Sequence, residues 1–185
     1  MNHRFHRVLT IIFTITLVFV IFECAFADDI KSKIENRKSE IRRIVSLSPN
    51  LTEIVFALGL GEKIVGVSSD SDWPTEAKQK PKMGTFWQPN IEAIIAAKPE
   101  LVVCESFLQH KEAAETLKRS GINTLSLHIE SIEELYSATL DIGKAAGCQD
   151  KAEALAAKIK NDLDQIKTKV ASSKKVKVLW SVQTE

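Results

Sequence analysis

The chain has 185 residues, of which 44% are hydrophobic and 26% are charged, enough apolar content for the packed core of about one domain. Its 25 basic and 24 acidic residues give a formal net charge of +1. A chain this close to neutral lacks the positive field that attracts nucleic acid or anionic lipid, so we expect no nucleic-acid partner.

The N-terminus has the three-part layout of a secretory signal peptide. Two arginines lie within the first seven residues, residues 8–22 form an uncharged apolar run, and residues 25–27 read Ala-Phe-Ala. The run is shorter than the ~20 residues that span a bilayer. We therefore predict cleavage after residue 27 and a periplasmic protein. The alternatives are an uncleaved membrane anchor or lipidation of Cys24, and Glu23 beside that cysteine makes a poor lipidation signal.

The following segment, residues 28–40, is charged and lacks an apolar rhythm, which predicts a flexible leader. Residues 41–148 then alternate between apolar strands and amphipathic helices. The predicted strands are Arg43–Leu47, Ile64–Val67, Leu101–Cys104 and Thr124–Leu127. The predicted helices are Leu51–Leu58, Ile91–Ala97, His110–Ser120 and Ile132–Ala146, followed by the helix-ending glycines Gly59 and Gly61, Gly121 and Gly147. This alternation predicts an α/β fold, a Rossmann-like lobe with a mostly parallel sheet covered by helices.

A second pattern begins after Cys148. Apolar residues recur at helical spacing from Asp150 to Val170, which predicts one long helix within residues 149–173. Residues 174–185 contain a further apolar strand pattern, Val176–Val182, and we expect that strand to lack a partner sheet within this chain.

The loops that leave the predicted strands carry the candidate ligand residues. In open α/β sheets, ligands bind beyond the carboxyl ends of the strands, and an aromatic loop before a helix can supply a flat contact surface. The candidates are Ser48, Asn50, Asp70, Trp73, Phe86, Trp87 and Glu105. They predict an aromatic surface with scattered acids, although core packing is an equally good interpretation of Trp73.

Other classes of function have weaker support. The sequence contains no dinucleotide-binding glycine motif, Walker loop, Gly-x-Ser-x-Gly or His-Glu-x-x-His, so we predict neither an enzyme nor a cofactor. A metal-ion binder would use His110 and His128 with carboxylates, but two isolated histidines are more typical of structural or solvated positions. Cys104 and Cys148 could pair in an oxidising compartment, and buried thiols are the alternative.

Three segments together resemble a known family: Arg43–Glu53, Gly84–Glu92 and Lys98–Val103. They are similar to the N-terminal lobe of the periplasmic binding proteins that deliver vitamin B12, ferric siderophores and haem to ABC importers. The resemblance extends over about residues 41–185. It implies that the long helix bridges two lobes, that residues 174–185 begin a truncated second lobe, and that Glu92 docks onto a permease at the inner membrane.

The resemblance also ranks the ligands. The loop at residues 68–74 is similar to that of vitamin B12 binders, which have aromatic residues where this chain has Asp70 and Glu105. Haem binders of the family carry a tyrosine near Thr85, whereas Tyr136 lies in a predicted helix. A corrinoid is therefore expected first, a siderophore second, and a small oxyanion or other metal chelate third. A truncated lobe with a structural or interaction role, which does not transport, is the alternative from another class.

Overall fold

A computed structural model describes residues 41–179, so the predicted signal peptide and leader lie outside the described residues. The described residues contain four strands: β1 (Ile44–Ser46), β2 (Ile64–Val67), β3 (Leu101–Glu105) and β4 (Thr124–Leu127). In the same range they contain five α-helices: α1 (Pro49–Ala57), α2 (Ile91–Ala96), α3 (Leu108–Arg119), α4 (Ile132–Ala145) and α5 (Gln149–Val170). Short 3-10 helices occupy Gly61–Lys63 and Thr75–Gln79. The predicted α/β fold is confirmed.

The four strands form one parallel sheet in the order β2-β1-β3-β4. Ile44 lies opposite Ile64 on one side and Leu101 on the other, while Glu105 lies opposite Leu127. The strands are rich in valine, isoleucine and leucine because a parallel sheet is covered on both faces. Since all four strands run in the same direction, the loops after Ser46, Val67, Glu105 and Leu127 emerge at one edge.

Side chains alternate between the two faces of the sheet. One face packs against α2 and α3 in a buried cluster, whose members are Val45, Leu47, Met83, Ile94, Val102, Cys104, Ala114 and Leu117. Ile44, Leu101 and Val103 alternate with these residues and point to the opposite face, and α1 contacts β1 and β3. The sheet is therefore buried between helices, which leaves its carboxyl edge as the place where loops can form a site.

Local chemistry fixes the helix boundaries. The side chain of Asn90 accepts the Ala93 N–H at 3.0 Å at the start of α2, and Ser131 with Glu134 caps α4. Of the glycines predicted to follow helices, Gly59, Gly121 and Gly147 have φ angles of 74°, 79° and 71°, whereas Gly61 begins the 3-10 helix Gly61–Lys63 and does not have a positive φ. The left-handed conformation of the first three is easy for glycine and ends a helix, as predicted.

The long helix α5 has 22 residues and a length of ~33 Å. It packs closely against α4 where Gly143 faces Ala152. A Cβ at residue 143 would collide with the Ala152 side chain, so this close approach requires a glycine. Toward its end the apolar residues Ile166 and Val170 are each 55% exposed. Residues 149–173 thus contain the predicted helix, and its role as a bridge stays a prediction.

The predicted strand Val176–Val182 is not formed in its described part. Residues 174–179 lie in neither helix nor strand, and residues 180–182 are outside the described range. A strand needs backbone partners for its N–H and C=O groups, and no described strand pairs with this segment. Between residues 41 and 179, no helix combines the length and the apolar character needed to cross a membrane.

Candidate functional site

A cleft of about 440 Å³ opens at the carboxyl edge of the sheet. It is lined by Pro49, Asn50, Asp70, Phe86, Trp87, Glu105, Phe107 and Ile129. Five of the seven predicted ligand residues therefore lie around one cavity, although they come from loops far apart in the sequence. Ser48 and Trp73 are not among the lining residues.

Aromatic rings form one wall of this cleft. The ring of Phe86 makes edge-to-face contacts with Trp87 and Phe107, at centroid distances of 4.8 and 5.8 Å. Trp87 is 62% exposed and Phe107 is 43% exposed, so most of this wall faces outward. Exposed rings whose neighbours hold them in place offer contact area at little cost in side-chain entropy, which suits a flat ligand.

The loop that carries Phe86 and Trp87 is closed by its own backbone. Gly84 has a φ of 93° and forms a bridge with Pro89, and the Thr85 N–H donates to the Gln88 carbonyl at 3.1 Å. The Gln88 N–H in turn donates to the Thr85 hydroxyl at 3.0 Å. A narrow turn of this kind projects the residues at its tip, which is why the two aromatic side chains reach the cleft.

Asp70 and His110 tie this loop to the sheet. The Phe86 N–H donates to Asp70 Oδ2 at 2.5 Å, and the Phe86 carbonyl lies 2.6 Å from His110 Nε2. On the other side of the imidazole, Nδ1 accepts the Glu105 N–H at 3.1 Å. Because Nδ1 accepts, a neutral imidazole carries its proton on Nε2 and donates it to Phe86. These two hydrogen bonds link the lining residues Phe86 and Glu105. Because His110 is only 1% exposed, it makes this link from beneath the cleft.

Glu105 supplies a carboxylate at the base of the cleft. It is only 5% exposed, and its Oε1 accepts a hydrogen bond from Asn50 Nδ2 at 2.5 Å. Asn50 Oδ1 meanwhile accepts the Leu51 N–H at 2.8 Å. Asn50 thus connects the start of α1 with the end of β3, and the positive end of the α1 dipole faces a carboxylate of the protein itself.

A network of buried hydroxyl groups supports the loops below the cleft. Thr52 Oγ1 lies 2.8 Å from Ser46 Oγ and 3.0 Å from Ser71 Oγ, and Ser71 Oγ lies 2.8 Å from Ser68 Oγ. Ser48 is also fully buried, and its hydroxyl has no hydrogen-bond partner among the described residues. The network fastens the loop after β2 to the start of α1, and Ser48 belongs to this supporting layer.

Trp73 lies beside a different cavity, of about 660 Å³. This second cavity is bounded by α1, the loop at residues 73–76 and the α5 residues Leu155 and Ile159. The Trp73 side chain is 64% exposed. Because this loop leaves β2 at the carboxyl edge of the sheet, the sequence argument places Trp73 near the cleft. The loop passes the cleft at Asp70, however, and Trp73 lies at the second cavity.

Four residues of the site were not among the predicted ligand residues. Three of them, Pro49, Phe107 and Ile129, line the cleft and lie two or three residues after the end of a strand, so the rule used for the other loops covers them as well. His110 is different, because its role depends on contact with Phe86, 24 positions away. No sequence pattern signals that contact.

Glu92 is exposed and lies in the first turn of α2. It is not among the lining residues of the cleft. A carboxylate at this position is favoured by the helix dipole, and its exposure leaves it accessible to another protein.

The reactive groups of the described residues include a serine–histidine pair and two thiols. Ser106 Oγ lies 3.4 Å from His128 Nδ1, longer than the 2.6–3.2 Å typical of an activated nucleophile. Within residues 41–179, no three His, Cys, Asp or Glu side chains are grouped closely enough to hold a metal ion. Cys104 and Cys148 are free thiols, and burial raises the pKa of each.

Known proteins resemble this chain in both sequence and fold. The chain is 37% identical over 151 residues to an uncharacterized ABC transporter substrate-binding lipoprotein of Bacillus subtilis, covering 80% of this chain and 48% of the relative. A periplasmic heme-binding protein from Pseudomonas aeruginosa superposes with a TM-score of 0.67 at 27% identity, covering 71% of this chain and 48% of that one. The periplasmic vitamin B12-binding protein of Vibrio cholerae superposes with a TM-score of 0.65 at 26% identity, covering 71% and 52%.

The chain thus spans about half the length of the curated relatives it matches. The family described as periplasmic binding protein matches residues 44–185, which is most of the chain. The match includes the parallel sheet, the loops at its carboxyl edge and the long helix α5. This chain belongs to the periplasmic binding protein family.

Proposed function

We propose that this protein is the exported substrate-binding component of an ABC importer and that its cleft captures a cobalamin-like corrinoid or another metal chelate. The observation that carries the proposal is the cleft at the carboxyl edge of the sheet, with its wall of exposed rings. A macrocycle can lie flat against Trp87 and Phe107 while its polar edge reaches Asn50, Asp70 and Glu105. The relatives named as vitamin B12-binding proteins support a corrinoid as the first ligand to test.

The structure offers a matched pair of tryptophans for this test. Trp87 lines the cleft and is 62% exposed, whereas Trp73 lies at the second cavity and is 64% exposed. The two side chains are buried to a similar extent, so removing either one should change the unfolding free energy by a similar amount. We expect Trp87→Ala to weaken binding of cyanocobalamin by about tenfold or more, since a lost stacking contact is worth at least ~1.4 kcal/mol, and Trp73→Ala to leave it unchanged.

The measurement is isothermal titration of cyanocobalamin into the two variants and the parent protein. Equal affinity of all three would remove Trp87 from the site. A folded parent that binds neither cyanocobalamin nor a ferric siderophore would instead favour the alternative that this lobe has a structural or interaction role.

We further propose that Glu92 docks onto the importer and that the protein acts in the periplasm after removal of residues 1–27. Glu92 lies outside the cleft, so Glu92→Ala should weaken capture of the permease without changing ligand affinity. Pull-down with the permease tests the first statement, and unchanged capture would refute it. The intact mass of the protein from a periplasmic fraction tests the second, with a chain starting at Asp28 as the expected result.

A further inference from the structure

The charges of the cleft point to a narrower class of ligand. Of the eight lining residues, Asp70 and Glu105 are carboxylates, and none is a lysine or arginine. We propose that this cleft selects neutral or cationic ligands whose edges donate hydrogen bonds and that it rejects polyanionic chelates. The inference rests on the proposed function of the cleft as a ligand site and specifies the charge that its ligand must have.

Helix dipoles oppose this charge but do not cancel it. The N-termini of α1, α3 and α4 each follow a parallel strand and so lie at the same edge of the sheet, and each is equivalent to roughly +0.5 elementary charge. Three such termini supply at most about +1.5 against two full negative charges, and the α4 terminus is already occupied by Ser131 and Glu134. The first residue of α1 is Pro49, which has no N–H, and the Leu51 N–H is already bonded to Asn50 Oδ1. The cleft therefore remains net negative.

The remaining titratable groups at the rim do not reverse the sign. His128 is adjacent to the lining residue Ile129, and its Nε2 lies 3.5 Å from Glu130 and 3.9 Å from Glu134. Even when protonated, this imidazole would be matched by two carboxylates. His110 is buried and donates its N–H to the Phe86 carbonyl, which makes it part of the protein's own bonding.

The two carboxylates are positioned by the protein and still have acceptor capacity. Asp70 Oδ2 accepts the Phe86 N–H, and Glu105 Oε1 accepts from Asn50. An ionised carboxylate has two oxygens with about four lone-pair sites, so each can accept further bonds from a ligand. Because Glu105 is 5% exposed, water screens its charge less than that of a surface carboxylate. Amide or ammonium groups on a ligand would satisfy these oxygens, whereas ligand carboxylates would be repelled.

The test compares two pairs of ligands that differ in charge, and the members of the first pair also share their shape. The first pair is cyanocobalamin, which is neutral, and its monocarboxylate, in which one side-chain amide is hydrolysed. The second pair is a ferric trishydroxamate with a free ammonium group and a trianionic ferric tris-catecholate. Affinities are measured for the whole chain and for Asp70→Asn, Glu105→Gln and the control Glu115→Gln. Glu115 is exposed on α3 and is not a lining residue, so the control makes the same change of charge outside the cleft.

We expect the parent to bind cyanocobalamin about tenfold more tightly than the monocarboxylate, and the cationic hydroxamate more tightly than the catecholate. Asp70→Asn and Glu105→Gln should each reduce these ratios severalfold, and Glu115→Gln should preserve them. Ratios near one in the parent, or ratios unaffected by both cleft variants, would overturn the charge selection. Binding of the cationic chelate alone would refute the corrinoid assignment yet support the charge selection. No binding of any of the four ligands would overturn both.

Discussion

Replacing Gly84 by alanine should disrupt the aromatic loop, and Gly121 offers a matched control. Both glycines have positive φ angles, 93° and 79°, which are strained for any residue with a Cβ. They differ in their surroundings. A Cβ at residue 84 would meet the Gln88 carbonyl, the Asn90 nitrogen at 2.6 Å and the Pro89 carbonyl carbon at 3.0 Å. A Cβ at residue 121 would meet nothing within 4 Å.

The expected loss of unfolding free energy combines the cost of the left-handed backbone and the cost of steric overlap. The left-handed conformation costs a residue with a Cβ about 1–2 kcal/mol, and Gly121→Ala should lose only this amount of unfolding free energy. Gly84→Ala adds steric overlap with three backbone atoms, which cannot move aside as a side-chain tip can. Overpacking costs a further 1–3 kcal/mol or so, giving a total of about 2–5 kcal/mol. At roughly 3 °C per kcal/mol for a domain of this size, the two melting temperatures should differ by several degrees.

The assay is thermal and urea unfolding followed by circular dichroism, together with titration of cyanocobalamin. Because residues 85–89 carry Phe86 and Trp87, a loop that relaxes to relieve the overlap would displace both rings. Gly84→Ala should therefore also bind ligand more weakly than Gly121→Ala. If the two variants had the same stability and both kept the affinity of the parent, the argument that backbone contacts require a glycine at residue 84 would be refuted.

Three further predictions concern other parts of the fold. His110→Phe leaves the Glu105 N–H and the Phe86 carbonyl without their partner, so it should cost about 2–4 kcal/mol of unfolding free energy and weaken ligand binding; His110→Gln, which can keep one bond, should recover part of both, and equal losses would contradict this role. Hydrogen bonds from the Glu130 N–H and the Ser131 hydroxyl hold the pKa of Glu134 below its usual range. The stability that the ionised Glu134 contributes is therefore present above the ordinary glutamate pKa and is lost as pH falls through the lowered value. The difference in unfolding free energy between the parent and Glu134→Gln should shrink on acidification, and a constant difference would refute this prediction. Burial raises the pKa of the Cys104 and Cys148 thiols, so both should react slowly with a disulfide reagent at neutral pH until the protein unfolds; mass spectrometry of the labelled peptides separates them, and rapid labelling of native Cys104 would contradict its burial.

The secondary structure was largely readable because its signals are local. The runs of valine, isoleucine and leucine predicted all four strands of the sheet to within a residue or two. Helix periodicity and the following glycines predicted the helices in the same way, since a left-handed glycine ends a helix whatever lies around it. The pattern from Val176 has the alternation of a strand, yet residues 176–179 form none, because a strand also requires a neighbour with which to bond. The expectation of a strand without a partner sheet in this chain therefore stays a prediction.

For the site, the sequence predicted which loops take part but not which of their residues face the cleft. The direction of parallel strands places Asn50, Asp70 and Glu105 at one edge of the sheet, and this reasoning needs only the order of the elements. It could not separate Trp87, which faces the cleft, from Trp73, which faces another cavity. The distinction depends on how far each loop travels after its strand, and that path is set by hydrogen bonds between distant residues.

The sequence by itself determined the alternation of strands and helices, the edge at which ligand loops emerge and the family resemblance. These follow from periodicity, helix-ending residues and short motifs, each of which acts over a few neighbouring positions. Only the tertiary structure decided that His110 joins Glu105 to Phe86, that Asn50 places a carboxylate at the start of α1, and that Ser48 lies beneath the cleft. Those roles arise from contacts between segments far apart in the chain, because hydrogen bonding and burial depend on distance in space and not on separation in sequence.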